Sequence, residues 1–280
     1  MAKNNNEPEY ILSSINTPLL NYKYYKMKKS EKLTYFLGLL VIGGMIGFLF
    51  YGGLFKNEEG ATTLTKLSNA IVFMGGGLIA NKIFMPVLQD RLRSKRLSKL
   101  KIQFRDFLAA LSTSMSSGMN VNDSLIAAYG DLCEQYSKDS YIAMETKEMI
   151  DGIQNNVPIE DTIYSLGERS GVEDISNFAT VFSVCYRTGG NLKEVIKRSS
   201  DLISEKMIIT EEINTKITSN KMQLNVMMMV PIVMMVLMKM MSSEFAESFA
   251  SPVGVVAITV ALGIFIGAYK MGRSIMDIRG

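Results

Sequence analysis

The sequence predicts an all-α polytopic membrane protein: four transmembrane helices, in two hairpins, with a central cytoplasmic helical bundle between them. Three observations carry this prediction. Apolar residues make up 48% of the 280-residue chain and are blocked into four long runs. Between the second and third runs they recur every three or four positions, and no stretch alternates with period two. Basic residues collect at one end of the runs only.

A bilayer core needs about 20 apolar residues in a helix. Leu33 to Phe55 is uncharged, and Leu67 to Gln89 is interrupted only by Lys82, whose long stem can reach a head group. Met222 to Met241 carries only Lys239, and Ser248 to Tyr269 is uncharged. The first run is too long and too late to be a cleaved leader, and a second run follows it directly. Lys23, Lys26, Lys28, Lys29 and Lys32 precede the first run, Arg91 to Lys101 follow the second, and Lys270, Arg273 and Arg279 follow the fourth. The short segments at 56–66 and 242–247 carry no basic excess. The positive-inside rule then places both termini and the middle segment in the cytoplasm. The expected organisation is a pattern-poor N-terminal tail (1–32), a membrane hairpin (33–89, spans 33–55 and 67–89), a helical domain (90–221), a second hairpin (222–272, spans 222–241 and 248–269) and a short tail (273–280).

The middle segment reads as successive amphipathic helices. Phe104, Phe107, Leu108, Leu111 and Met115 form one stripe. Val121, Leu125, Ile126, Tyr129, Leu132 and Cys133 form a second, and Ile175, Phe178, Ala179, Phe182 and Tyr186 a third. Ser117-Gly118, Gly152, Gly167, Gly171 and Gly189-Gly190 punctuate them. Asn120 with Asp123, and Asn191 with Glu194, have the spacing of a helix cap and an acid in the first turn, where the helix dipole favours negative charge. Asp161 stands in a similar pattern after Pro158, a residue tolerated at a helix start. From Asn191 no breaker appears until Pro231, so one helix is expected to begin at Asn191, with Leu192, Val195, Ile196, Leu202, Ile209, Ile213 and Ile217 at helical spacing, and to run into the third span. Pro231 is expected to kink it.

Candidate chemistry is sparse. The chain has no histidine, which removes the commonest general base and metal ligand. Cys133 and Cys185 are far apart and are expected to be reduced and half-buried. No phosphate-binding glycine loop followed by Lys-Ser/Thr is present, and the net charge of +3 gives no reason to expect nucleic acid. No enzyme activity, cofactor or metal is expected. The eight methionines between Met227 and Met241 surround their helix, which suits packing against several partners better than a metal conduit. Gly43-Gly44, Gly47 and Gly75-Gly76-Gly77 fit close approach of the first two spans. The Arg91–Lys101 cluster either sets topology and touches anionic membrane lipid or docks an acidic partner. Residues 1–22 read as a loose tail whose Tyr10, Ile11, Leu19 and Leu20, with Tyr24 and Tyr25 just beyond, could lie on the membrane surface.

The stretch Arg187-Thr188-Gly189-Gly190-Asn191-Leu192-Lys193-Glu194-Val195-Ile196 resembles the R-x-GGNL-x-E-V-L segment of the type II secretion system F family. Phe104-Arg105-Asp106-Phe107-Leu108, Ser117-Gly118-Met119 and Pro231 are similar to other points of that family's pattern, and Glu205-Lys206 stands where its pilus branch often has Arg-Glu-Arg. With room for one copy of the domain, the chain looks most like the platform proteins of tight-adherence (Tad, or Flp) pili. The resemblance implies an inner-membrane platform without catalytic residues. It implies as partners a hexameric secretion ATPase, pilin subunits and a related F-type subunit or a second copy. It makes Arg91, Arg93, Arg96, Arg187, Glu194 and Glu205 candidates for an ATPase- or subunit-facing surface. Gly118, Gly189, Gly190 and Asn191 would be structural turns. A small transporter or channel is the rival reading. It would need polar residues at mid-membrane, where the sequence offers Asn69, Asn81, Asn225 and Lys82.

Overall fold

The computed structural model describes residues 8–13, 15–52 and 63–276. Most of the loop expected at 56–66, and the end of the C-terminal tail from 277, lie outside the described residues. The elements run β1 (Tyr10–Leu12), β2 (Pro18–Leu20), α1 (Lys29–Tyr51), α2 (Thr63–Ser116), α3 (Val121–Gln135), α4 (Tyr141–Gln154), α5 (Ile159–Ser170), α6 (Glu173–Thr188), α7 (Leu192–Met241), α8 (Ser243–Ala250) and α9 (Pro252–Met276). Among the described residues the architecture is all-α apart from one short hairpin, and four helices, α1, α2, α7 and α9, are long and apolar enough to cross a membrane.

The chain divides into two compact units. One holds the described residues up to Lys26 with Gln89–Ile209; the other holds Met27–Leu88 and the described residues from Thr210 onward. Each is described by itself.

The first unit is built on aromatic and aliphatic stripes. Phe104, Phe107, Leu108 and Leu111 of α2 meet Leu125 and Leu132 of α3, Ile142 and Met149 of α4, Ile163 and Leu166 of α5, and Ile175, Phe178 and Phe182 of α6 in one core. The Phe104 and Phe178 rings meet edge-on with centroids 5.6 Å apart. Burying each such side chain is worth about 1.5–3 kcal/mol. Two stripes are narrower than their spacing predicts. Ile126 faces outward on α3, and Tyr186 stays 41% exposed at the end of α6. On α7 the buried row is Ile196, Ser200 and Ile203, whereas Leu202, Ile209 and Ile213 are exposed. Small Ser200 completes a row that an apolar count passes over.

The ends of the helices follow local chemistry. Asn120 Oδ1 accepts from Asp123 N at 2.9 Å, and Asn191 Oδ1 accepts from Glu194 N at 3.2 Å. Gly171 and Gly189 close α5 and α6 at φ 61° and 68°, the left-handed conformation that glycine adopts without penalty. Gly167 is no turn: it lies inside α5, where a Cβ would come within 3.1 Å of Ser176 Cα. Both cysteines are free and half-buried.

The N-terminal segment differs most from expectation. Read as a loose tail, it instead pairs Tyr10 with Leu20 and Leu12 with Pro18 in an antiparallel hairpin. Tyr22, just beyond the hairpin, is fully buried in the core. The ambiguity arises because strands of three residues are too short to show a period.

In the second unit α1 and α2 approach closely through glycines. A Cβ on Gly76 would lie 2.7 Å from Gly43 O, and one on Gly43 would lie 2.5 Å from Ala80 Cβ. Gly75 faces open space and is not part of this seam. Asn81 Nδ2 donates to Phe36 O and Gly77 O, both at 3.1 Å, which joins the helices through a polar contact. Near the other end of α1, Lys239 Nζ donates to Leu49 O at 2.8 Å and sits over the Phe249 ring. The segment at 242–247, expected as a plain loop, is largely helical: Ser242 Oγ accepts from Phe245 N and starts α8. Both α2 and α7 run through their prolines, Pro86 and Pro231, without a break. The continuity of α7 matches its sequence. Likewise, α2 carries on from the second apolar run to Ser116.

Candidate functional site

The residues singled out by sequence fall into separate groups. Arg91 is exposed, whereas Arg93 and Arg96 are half-buried on α2. The Arg96 guanidinium carbon lies 4.4 Å from the centre of the Tyr25 ring, a stacked cation–π contact. From Arg96 to the end of α2 at Ser116 is about 30 Å along the helix. The second group gathers at that far end.

There, Lys193 Nζ donates to Ser116 O at 3.5 Å, which brings the Gly189–Asn191 turn beside the corner after α2. Gly118 takes φ 92° at this corner with open space around it, so backbone conformation and not crowding selects glycine. Gly189 and Gly190 play different parts. Gly189 alone is left-handed; Gly190 is needed for space, since a Cβ there would sit 2.9 Å from Cys185 Sγ. Glu194 is exposed and shares the cap with Asn191, whose Nδ2 donates to Glu194 Oε2 at 3.3 Å.

Arg187, in the last turn of α6, reaches back to the start of α5. Its Nε lies 3.3 Å from Glu160 Oε1 and its Nη2 lies 3.7 Å from Asp161 Oδ1. Arg187 is largely exposed while Glu160 is buried, and Glu160 Oε2 has no hydrogen-bond partner among the described residues. Arg187 therefore links two helices rather than only answering its own helix dipole. Because Arg187 is 63% exposed to solvent, its pairing is worth about 0–1 kcal/mol. Glu205 is exposed on α7, about 16 Å along the helix from Glu194. Its neighbour Lys206 donates to Asp174 Oδ1 at 2.6 Å, and that bond holds the ammonium above the ordinary lysine range.

Two polar clusters lie outside what the sequence indicates. In the first, Glu145 of α4 accepts from Arg169 Nη1 at 2.8 Å, from Arg169 Nη2 at 2.5 Å and from Tyr22 Oη at 2.9 Å. Arg169 Nη1 also donates to Leu20 O at 3.0 Å, and its Nε donates to Ser165 Oγ at 3.1 Å. Thr17 Oγ1 donates to Glu148 Oε2 at 2.7 Å. This clasp fastens the N-terminal hairpin to α4 and α5. Burial raises the Tyr22 phenol well above its ordinary value, and the Glu145 charge beside it adds to that. Burial opposes the Arg169 charge, but the bonds to Glu145 outweigh it and raise its pKa. In the second cluster the Tyr136 hydroxyl donates to Asp106, which also accepts from Arg105 Nε at 2.8 Å. Burial and then Asp106 push Tyr136 up to about 12. The sequence gives no periodic sign of either cluster, because each joins residues far apart in the chain.

The tyrosines set an alkaline limit. A phenol whose folded pKa is raised contributes stability that is intact below its unfolded value near 10 and is lost as pH rises towards the folded value. Unfolding midpoints are therefore expected to hold steady to about pH 10 and to fall between about pH 10 and 12. Tyr136→Phe is expected to flatten part of that fall, which denaturant titration at stepped pH would measure.

The class of protein follows from the architecture: a multi-pass, all-α membrane protein whose helical unit is flanked in the chain by apolar helices. A family model described as Type II secretion system (T2SS), protein F, matches residues 107–240. Residues 107–240, just under half of the chain, are therefore a domain of the type II secretion system F family, beginning inside α2 and ending one residue before the end of α7. No curated protein and no solved structure matches the chain.

Proposed function

We propose that this chain is an inner-membrane platform of a Tad/Flp-type pilus or type II secretion machine. On this reading a hexameric secretion ATPase acts on the helical unit from the cytoplasm, and pilin subunits leave the bilayer beside the apolar helices. A related F-type subunit or a second copy completes the platform. The observation that carries the reading is the F-family match running through α7, a helix unbroken from Leu192 to Met241. An unbroken helix transmits displacement that a flexible linker would dissipate. The Arg187–Glu160–Asp161 corner, with Glu194 nearby in sequence on α7, is the proposed partner-facing surface. Arg91 is the exposed member of the second proposed surface.

Deleting the chain is expected to abolish surface pili while prepilin levels stay unchanged, as read by electron microscopy and immunoblotting. Complementation with the intact chain should restore pili. A chain with Gly-Ser-Gly-Ser inserted after Asn214 in α7 should reach the membrane and fail to restore them. Normal piliation in the deletion strain would end the platform reading. Restoration by the insertion chain would end the coupling role of α7.

A further inference from the structure

Three guanidinium nitrogens on one stretch of α2, Arg93 Nε, Arg96 Nε and Arg96 Nη1, are buried and have no hydrogen-bond partner among the described residues. A buried donor left unmade is expensive, and charged donors more so. Elsewhere this chain pairs such a group completely: the buried Arg169 places Nε, Nη1 and Nη2 on four oxygens.

The two side chains leave α2 three positions apart, on one face. Arg96 is held flat against Tyr25, 4.4 Å from the ring centre, which fixes the plane of its donor fork. A planar fork with free N–H groups matches a tetrahedral oxyanion better than a point charge does. The apolar run of α2 ends at Gln89. Arg93 and Arg96 follow it by about 6 and 10 Å along the helix. A bilayer of about 40–45 Å with a hydrocarbon core of about 30 Å has an interfacial layer of about 5–8 Å on each side. Arg93 falls within it, and Arg96 falls just beyond its outer edge, within reach of its long side chain.

We infer that Arg93 and Arg96, with Tyr25 as the backing ring, form a binding site for the phosphate of an anionic glycerophospholipid. The site binds one head group at the point where α2 leaves the bilayer. Exposed Lys95 and Lys99 on the same helix contribute only diffuse attraction. The inference does not depend on the platform reading, only on α2 crossing the membrane.

The test uses the full chain purified in mild detergent, with bound phosphatidylglycerol counted by native mass spectrometry across a lipid titration. Arg93→Gln with Arg96→Gln is expected to weaken retention about ten-fold, the worth of one charge-assisted hydrogen bond. Lys95→Gln with Lys99→Gln should change it less than about two-fold. Arg93→Lys with Arg96→Lys keeps the charge, removes the fork, and should still weaken binding several-fold. This pair carries the test if circular dichroism shows the glutamine pair misfolded. Millimolar inorganic phosphate or ATP should leave the bound lipid in place. Parental retention in both arginine variants, or an equal loss in the Lys95→Gln, Lys99→Gln variant, would overturn the site. Displacement by inorganic phosphate or ATP would overturn the lipid assignment in favour of a soluble phosphate ligand.

Discussion

Arg169→Met is expected to destabilise the helical unit by about 3–5 kcal/mol, because it leaves Glu145 charged, buried and without its bidentate partner. Both side chains are about 5% exposed or less, so water cannot take the place of the guanidinium. The substitution also strips Leu20 O and Ser165 Oγ of a donor, which loosens the hairpin from α5. A fall in melting temperature of about 10 °C should follow. The chain has no tryptophan, so circular dichroism is the natural probe. Glu145→Leu combined with Arg169→Met should regain most of the loss, since removing both partners of a buried pair costs far less than removing one. A melting curve for Arg169→Met that overlays the parent's would show that the clasp does not hold the unit together.

The second large effect lies in the membrane hairpin. Gly76→Leu places a branched side chain where even a Cβ meets Gly43 O at 2.7 Å. The obstacle is backbone, which cannot swing aside, so α1 and α2 must separate. In a bilayer the apolar effect does not hold helices together, and packing and interhelical polar contacts carry the association. The loss is expected to reach about 3 kcal/mol, with the Asn81–Phe36 bond broken as the helices part. Unfolding in graded SDS would report it as a lower midpoint. Gly75→Leu is the matched control: one residue away, it meets nothing within 4 Å and should behave as the parent. Equal sensitivity at both positions would show that helix propensity, not the seam, governs the result.

These two sites mark what the sequence could and could not reveal. Gly43 and Gly76 were legible as a seam because small residues in an apolar helix have few other uses. Which member of Gly75-Gly76-Gly77 faced the partner depended on helix phase, which three adjacent glycines leave open. The capping pairs Asn120–Asp123 and Asn191–Glu194 were legible because a cap is local, its donor and acceptor three residues apart. The Phe104 and Phe178 stripes were legible for a similar reason, since helix period alone orients them. The clasp was not. Tyr22, Glu145 and Arg169 sit in segments whose local patterns say nothing of one another, and Arg169 resembles any cation in a last helical turn. The hairpin at Tyr10–Leu20 was hidden because its strands span three residues each. The α7 face was half legible: its continuity showed in the absence of breakers, while the true buried row used Ser200 and Ile203. Of the candidate surface, the Arg187 corner was legible as a motif, but its link to Glu160 and Asp161 was not.

The clasp also sets an order of events during synthesis. Tyr22 emerges from the ribosome 123 residues before Glu145, its acceptor. At about 5–20 residues per second, that gap lasts about 6–25 s. Throughout it, the first two apolar helices are already being inserted while the segment before them has nothing to close upon. The hairpin segment lacks its bonding partners for that time, and its closure onto α4 and α5 would be a late step in maturation.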